Sequence, residues 1–259
     1  MAGQNRGKRR IFAVMAVLAA LVLFPVVYMI LASFRGETGI SVLAYYDVFL
    51  AEPGYLVKFW RSLGLCLVIA LGQTLVSCLG GMAFSKMPFP GWKPCFLIMA
   101  LFMILPIQVT LLPNYILLEK MNLLNTWWAL ILPAVFSPFG TVWLAVIFRG
   151  LPSEWTDAAK LDGAGLFGCV FRILVPAARP AVITLFILSF VDGWNMVEQP
   201  ITFLENPGQY PLSVFLAGIT ENSIPVQAVC GILCLIPVTF LFLYYRDEMA
   251  EGIGDSIWS

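Results

Sequence analysis

Six runs of twenty or more mostly apolar residues, Ile11–Phe34, Ser62–Phe84, Cys95–Leu118, Thr126–Phe148, Ala181–Leu204 and Val226–Tyr245, take up more than half of the chain. A helix of about 20 such residues crosses the hydrocarbon core of a bilayer, and it satisfies its backbone groups internally where no water can. The runs predict an all-α integral membrane protein with about six transmembrane helices. Hydrophobic residues make up 60% of the chain and charged residues 12%, where a soluble domain carries about 25% charged residues. No interval between runs has room for a soluble domain, so residues 1–259 read as a single transmembrane domain.

Fifteen basic and fifteen acidic residues cancel, and histidine is absent. No net basic field attracts nucleic acid, and histidine chemistry is excluded. The charges are nonetheless unevenly placed. With the amino terminus inside, the cytoplasmic segments hold Arg6, Lys8, Arg9, Arg10, Lys86, Lys93, Arg149, Lys160, Arg172, Arg179 and Arg246, against Arg35, Lys58, Arg61 and Lys120 outside. Eleven against four predicts cytoplasmic amino and carboxyl termini by the positive-inside rule. The first run is longer than a signal-peptide core of about 7–15 residues and reads as an uncleaved anchor.

The six cysteines lie in or beside apolar runs without a CxxC pair and read as packing residues; no metal site is expected. Gly64, Gly72, Gly80 and Gly81 in the second run suit close helix contact. Pro25, Pro106, Pro113, Pro133, Pro138, Pro200 and Pro237 recur within the runs. Each removes a backbone donor, which marks either an ordinary kink or a helix bent around a pathway.

The longest cytoplasmic connection, residues 149–180, reads RGLPSEWTDAAKLDGAGLFGCVFRILVPAARP. Pro152 and Ser153 form a helix start, and Glu154 and Asp157 place negative charge near the positive end of the helix dipole. Gly163 suits a left-handed exit, and a second amphipathic stretch from Leu166 to Leu174 precedes Pro176. The expectation is a helix, a tight turn and another helix.

Asp157, Ala158, Ala159, three further residues, Gly163, then Ile173 and Pro176 stand in the order of the EAA loop that this segment resembles, the coupling loop of ABC importer permeases. The form DAAKLDGA is similar to that of the carbohydrate, maltose-type branch. Residues 122–144 and 179–204 look like the spans that flank the loop in those permeases. The resemblance implies a type I importer bundle in a bacterial cytoplasmic membrane. It implies a loop that docks on an ATPase through Glu154, Asp157, Ala158, Ala159, Asp162, Gly163 and Pro176. The family motif usually has glutamate where this chain has Asp157, which keeps the charge on a shorter arm. The implied partners are a second homologous permease, two ABC ATPase subunits, an extracytoplasmic solute-binding protein and a sugar, within a lipid bilayer. No GxxxxGK[ST] phosphate loop occurs in the chain, so ATP and Mg belong to the ATPase partners and no catalytic residue or cofactor is expected here.

Asp192, Trp194, Asn195 and Glu198 form a polar and aromatic cluster in or near the fifth run. A charge at a helix centre costs about 2.5–3.5 kcal/mol on insertion scales, so these acids face protein, water or the interface. Trp194 and Asn195 suit stacking on and hydrogen bonding to a polyol, or interhelical hydrogen bonding and interfacial anchoring. Gln73, Thr74, Ser77, Gln108, Thr110 and Asn114 are further candidates for the pathway or for helix contacts. Two other classes stay open on the residues alone: an ion-coupled secondary transporter using Asp192 and Glu198, and a non-transporting membrane scaffold.

Overall fold

The computed structural model describes the backbone of residues 2–36, 39–51, 54–87, 89–218 and 223–258, with side chains described over 11–36, 39–51, 54–87, 89–218 and 223–250. The basic side chains of Arg6, Lys8, Arg9 and Arg10 lie outside this set. Among the described residues the chain is helical, with one isolated bridge between Arg35 and Ile40. Among the described residues four helices are long and apolar enough to cross a membrane, Ile11–Ser33, Gly54–Lys86, Trp128–Gly150 and Ile224–Ala250, or up to six if each of two bent pairs, Trp92–Ile104 with Ile107–Lys120 and Leu166–Ala177 with Arg179–Trp194, is one span.

The chain packs as two compact units, Met1–Phe59 with Phe215–Pro237, and Trp60–Val214 with Val238–Ser259. In the first, helix α1 (Ala2–Ser33) leads through the short α2 (Leu43–Tyr46) and a π-helical turn, Asp47–Ala51. Most described apolar side chains of α1 are exposed, Phe12 at 75% and Val22 at 71%, as suits a helix whose solvent is lipid. Towards its end α1 is tied down: Ser33 Oγ lies 3.0 Å from Tyr45 Oη, and Ala32 and Ser33 are buried. Tyr55 Oη donates to the carbonyl of Cys230 at 3.0 Å.

The second unit is organised around α3 (Gly54–Lys86) from Trp60 onward. Its glycines face α6 (Trp128–Val135) and α7 (Pro138–Gly150). A Cβ on Gly72 would lie 2.7 Å from Val135, one on Gly80 2.7 Å from Thr141, and one on Gly81 2.9 Å from Leu144. The expected close helix contact is therefore present at these three positions, whereas a Cβ on Gly64 would meet open space. One core cluster gathers Leu65, Ile69, Leu118, Leu130 and Phe203; another gathers Cys78, Met82, Leu144, Phe148, Val170 and Leu174.

Two expected spans are not continuous. The run Cys95–Leu118 divides into α4 (Trp92–Ile104) and α5 (Ile107–Lys120), which meet at 110°. Leu105 is extended at φ −67°, ψ 131° because the Pro106 ring excludes helical backbone in the residue before it, and Pro106 has no N–H to offer. The run Ala181–Leu204 is likewise shorter as a helix: α11 (Arg179–Trp194) ends at Asn195, and a separate α12 (Glu198–Phe203) follows. After α13 (Leu212–Gly218), the last helix, α14 (Ile224–Trp258), outruns its expected end and kinks at Tyr245.

Candidate functional site: a capped hairpin and a groove at three helix breaks

The segment after α7 folds as its residues direct. Helix α8 (Ser153–Leu161) follows an extended Pro152, and Thr156, buried, closes its first turn with a 2.9 Å bond to the Ser153 carbonyl. At its end the Ala164 N–H donates to Ala159 O at 2.9 Å and the Gly163 N–H to Lys160 O at 3.0 Å. These two bonds form a Schellman cap, which places the residue after the cap in the left-handed region, and Gly163 has φ +83°. Helix α9 (Leu166–Cys169) then runs through a π-helical turn, Val170–Leu174, into α10 (Val175–Ala177). Pro176 thus sits inside the helical run instead of ending it. The wider turn supplies the reason: Val175 N–H bonds to Val170 O, and the register shift absorbs the missing donor of Pro176. The chain turns by 93° from this segment into α11.

The hairpin presents two faces. Ala159 and Ala164 pack on the core cluster beneath, beside buried Cys169, Val170 and Leu174. Glu154, Trp155, Asp157, Ala158 and Leu161 are exposed, Leu161 at 90%. Asp162, Gly163 and Pro176 are exposed as well. Asp157 pairs with Lys160 at 3.1 Å on this open face, a contact that contributes little between solvated groups. Of the two alanines, then, Ala158 faces outward and Ala159 serves the hairpin's own seat.

Two cations brace the helix ends at the entrance to the hairpin. Lys86 Nζ, at the end of α3, donates to the carbonyl of Leu151, and the charges of Glu154 and Asp157 act on it. The Arg149 guanidinium lies 5.3 Å from the ring centres of Trp92 and Phe96 on α4, with Nη2 3.5 Å from the Phe84 carbonyl. In the sequence Lys86 and Arg149 stand out only as orienting charges. The available signal was Trp92 and Phe96 at i, i+4 spacing, which places both rings on one face of α4.

The second site is a groove of about 1260 Å³ within the same unit. Leu105 at the α4–α5 break, Phe136 and Ser137 at the α6–α7 break, and Asn195 to Val197 at the α11–α12 break all line it. Interrupted backbone at membrane depth is tolerated where it is packed in protein or lines a wet cavity. Asp192, Asn195 and Glu198 reach this groove, together with Gln73, Thr110 and Asn114. Gln108 Nε2 donates to Glu198 Oε1 at 2.8 Å, tying α5 to α12. Trp194 does not line the groove; it is 4% exposed and stacks on Phe190 at 5.7 Å. Asn195 gives part of its amide to the Val191 carbonyl at 3.0 Å. Thr74, half-buried, and Ser77, buried, do not line the groove, and their buried hydroxyls find no partner among the described residues. Asn125, which sequence reasoning passed over, takes φ +62° and holds the end of α12, accepting from the Glu205 N–H at 2.7 Å and donating to Phe203 O at 2.9 Å.

The family described as binding-protein-dependent transport system inner membrane component matches residues 5–247. The arabinooligosaccharides transport system permease protein AraQ of Halalkalibacterium halodurans is 27% identical over 92% of this chain and 91% of its own. A probable ABC transporter permease protein of Pyrococcus horikoshii is 36% identical over 74% of this chain and 73% of its own. Among solved structures, a chain of a bacterial ABC transporter involved in the import of the acidic polysaccharide alginate superposes with a TM-score of 0.85 at 18% identity, covering 95% of this chain and 98% of that one.

Proposed function

We propose, for a chain that belongs to the family of binding-protein-dependent transport system inner membrane components, that it is the permease subunit through which a carbohydrate enters the cell, driven by separate ATPase subunits that dock on the α8 hairpin. The observation that carries this reading is the outward stripe of that hairpin. Trp155, Ala158 and Leu161 expose apolar surface between Glu154 and Asp157 on a segment outside the membrane runs, and their backbone is fixed by the Schellman cap beneath. An exposed apolar stripe rimmed by charge marks a protein contact. Small Ala158 lets a groove wall approach, and Asp157 can meet a basic group.

The path follows from the same geometry. Docked ATPases would bind ATP and Mg and, on closing, move the hairpin. Lys86 and Arg149 pass that movement to the ends of α3 and α4. Helix α4 leads to the break at Leu105 and Pro106, where the groove begins. Alternating access then rests on differential binding of the ATPases to two permease states, with no covalent step on this chain. A second permease subunit completes the path, and an extracytoplasmic binding protein delivers the sugar. Carbohydrate as cargo is supported by what AraQ and the alginate importer are said to carry. The hairpin and both termini lie on the cytoplasmic side.

Expression with the neighbouring transport genes and purification through a tag on this chain tests the reading. Co-purification of an ATPase that is released by disrupting Ala158, with hydrolysis stimulated by a sugar-loaded binding protein, is the expected result. A chain that purifies without an ATPase and carries solute on a proton or sodium gradient would overturn it.

A further inference from the structure

The groove has a definite charge character. Among the described residues its lining carries two carboxylates, Asp192 and Glu198, both exposed, and no lysine, arginine or histidine. The remaining polar groups include Gln73, Asn114 and Asn195, neutral amides that offer donors and acceptors together. Gln73 is the pointed case. It is 6% exposed, lines the groove, and its side chain bonds to no protein group among the described residues. Its amide atoms open on the groove, where water or a ligand can pair with them. Phe102, Phe136 and Phe139 supply flat apolar wall at the helix breaks, a surface against which the C–H face of a sugar ring packs.

We infer that this groove passes uncharged sugars and rejects those bearing carboxylate, phosphate or sulfonate groups. The inference rests on the reading of the groove as a sugar passage and adds the charge class of the cargo. An anionic sugar entering here meets two negative side chains without a compensating cation, within low-dielectric walls that strengthen the repulsion. A neutral sugar meets amides, a hydroxyl at Thr110 and carboxylates that accept from its hydroxyls. Glu198 is held in place for that role, because Gln108 occupies Oε1 and fixes the carboxylate.

The test reads groove charge without knowing the natural sugar. In the complete importer, with the native cysteines replaced, Asn195→Cys is modified by a cationic and by an anionic methanethiosulfonate, each rate normalised to a free thiol. The cationic reagent should react about tenfold or more faster, and Asp192→Asn with Glu198→Gln should bring the ratio back near one. Equal rates in the parent, or a ratio that the double substitution leaves unchanged, would overturn the inference. In parallel, proteoliposomes holding the importer, its binding protein and internal ATP are offered a pool of neutral oligosaccharides and a pool of oligouronates. Uptake confined to the neutral pool is expected. Uronate uptake at a comparable rate would overturn the charge assignment while leaving the permease reading intact, whereas uptake of neither pool, with no stimulated hydrolysis, would overturn the sugar-passage reading beneath it.

Discussion

The guanidinium of Arg149 rests against the ring of Trp92, 5.3 Å from its centre, and so joins the last turn of α7 to the first turn of α4 at the entrance to the hairpin. The same group lies equally close to Phe96. A displacement of the hairpin that moves the end of α7 therefore reaches α4, whose other end opens at the groove. A cation over aromatic rings contributes about 0.5–1 kcal/mol at an exposed site. Arg149→Gln should leave assembly intact and raise the ATP hydrolysed per sugar imported by a few fold. Arg149→Lys should restore part of the coupling, since the charge over the rings is kept. An unchanged ratio of hydrolysis to uptake in Arg149→Gln would mean the contact does not transmit movement.

Gly163 tests the cap. A Cβ there would meet nothing within 4 Å, so the demand is purely on backbone at φ +83°. Valine in the left-handed region costs about 1–2 kcal/mol, whereas asparagine tolerates it. Gly163→Val should weaken ATPase association or uncouple hydrolysis from uptake, and Gly163→Asn should behave nearly as the parent. Equal defects in the two variants would show that the space beside Gly163, and not its conformation, matters.

The paired alanines should separate. Ala158 is exposed on the outer stripe, so Ala158→Glu is expected to abolish ATPase co-purification while the hairpin resists protease as the parent does. Ala159 packs on the core cluster with Ala164. Ala159→Glu buries a charge there and should expose the hairpin to protease before any docking defect is seen. The reverse assignment of the two phenotypes would contradict the faces described for α8.

Trp194 and Asn195 should separate in the same way. Truncating a buried aromatic costs about 3–5 kcal/mol, so Trp194→Ala should lower the amount of assembled complex, and Trp194→Phe should retain it. Asn195→Ala should instead reduce uptake per assembled complex several fold. Thermal unfolding in detergent with parallel uptake assays distinguishes them, and a normal melting curve for Trp194→Ala with lost uptake would return Trp194 to the pathway.

The hairpin was legible in the sequence because each of its signals is local. Pro152 and Ser153 start α8, Gly163 turns the chain, and a residue order that is specific to one family runs between them. The broken helices were not legible, because prolines that look alike in sequence act differently. Pro25, Pro113 and Pro237 lie inside continuous helices, while Pro106 separates α4 from α5 by 110°. Whether a helix bends or breaks depends on what accepts the freed carbonyl and on the space into which the chain can turn, and both are tertiary. Trp194 shows the same limit at the scale of one side chain. Its neighbours Asp192 and Asn195 face the groove, but helical rotation carries Trp194 onto Phe190 in the core.

The most direct measurement of the central claim is sugar uptake into proteoliposomes that contain this chain with its second permease and ATPases, loaded or not with ATP, and supplied with the sugar-bound binding protein. Uptake is expected only with internal ATP, with hydrolysis that rises with the loaded binding protein and with indifference to imposed proton or sodium gradients. Uptake that proceeds without ATP and follows an ion gradient would contradict it.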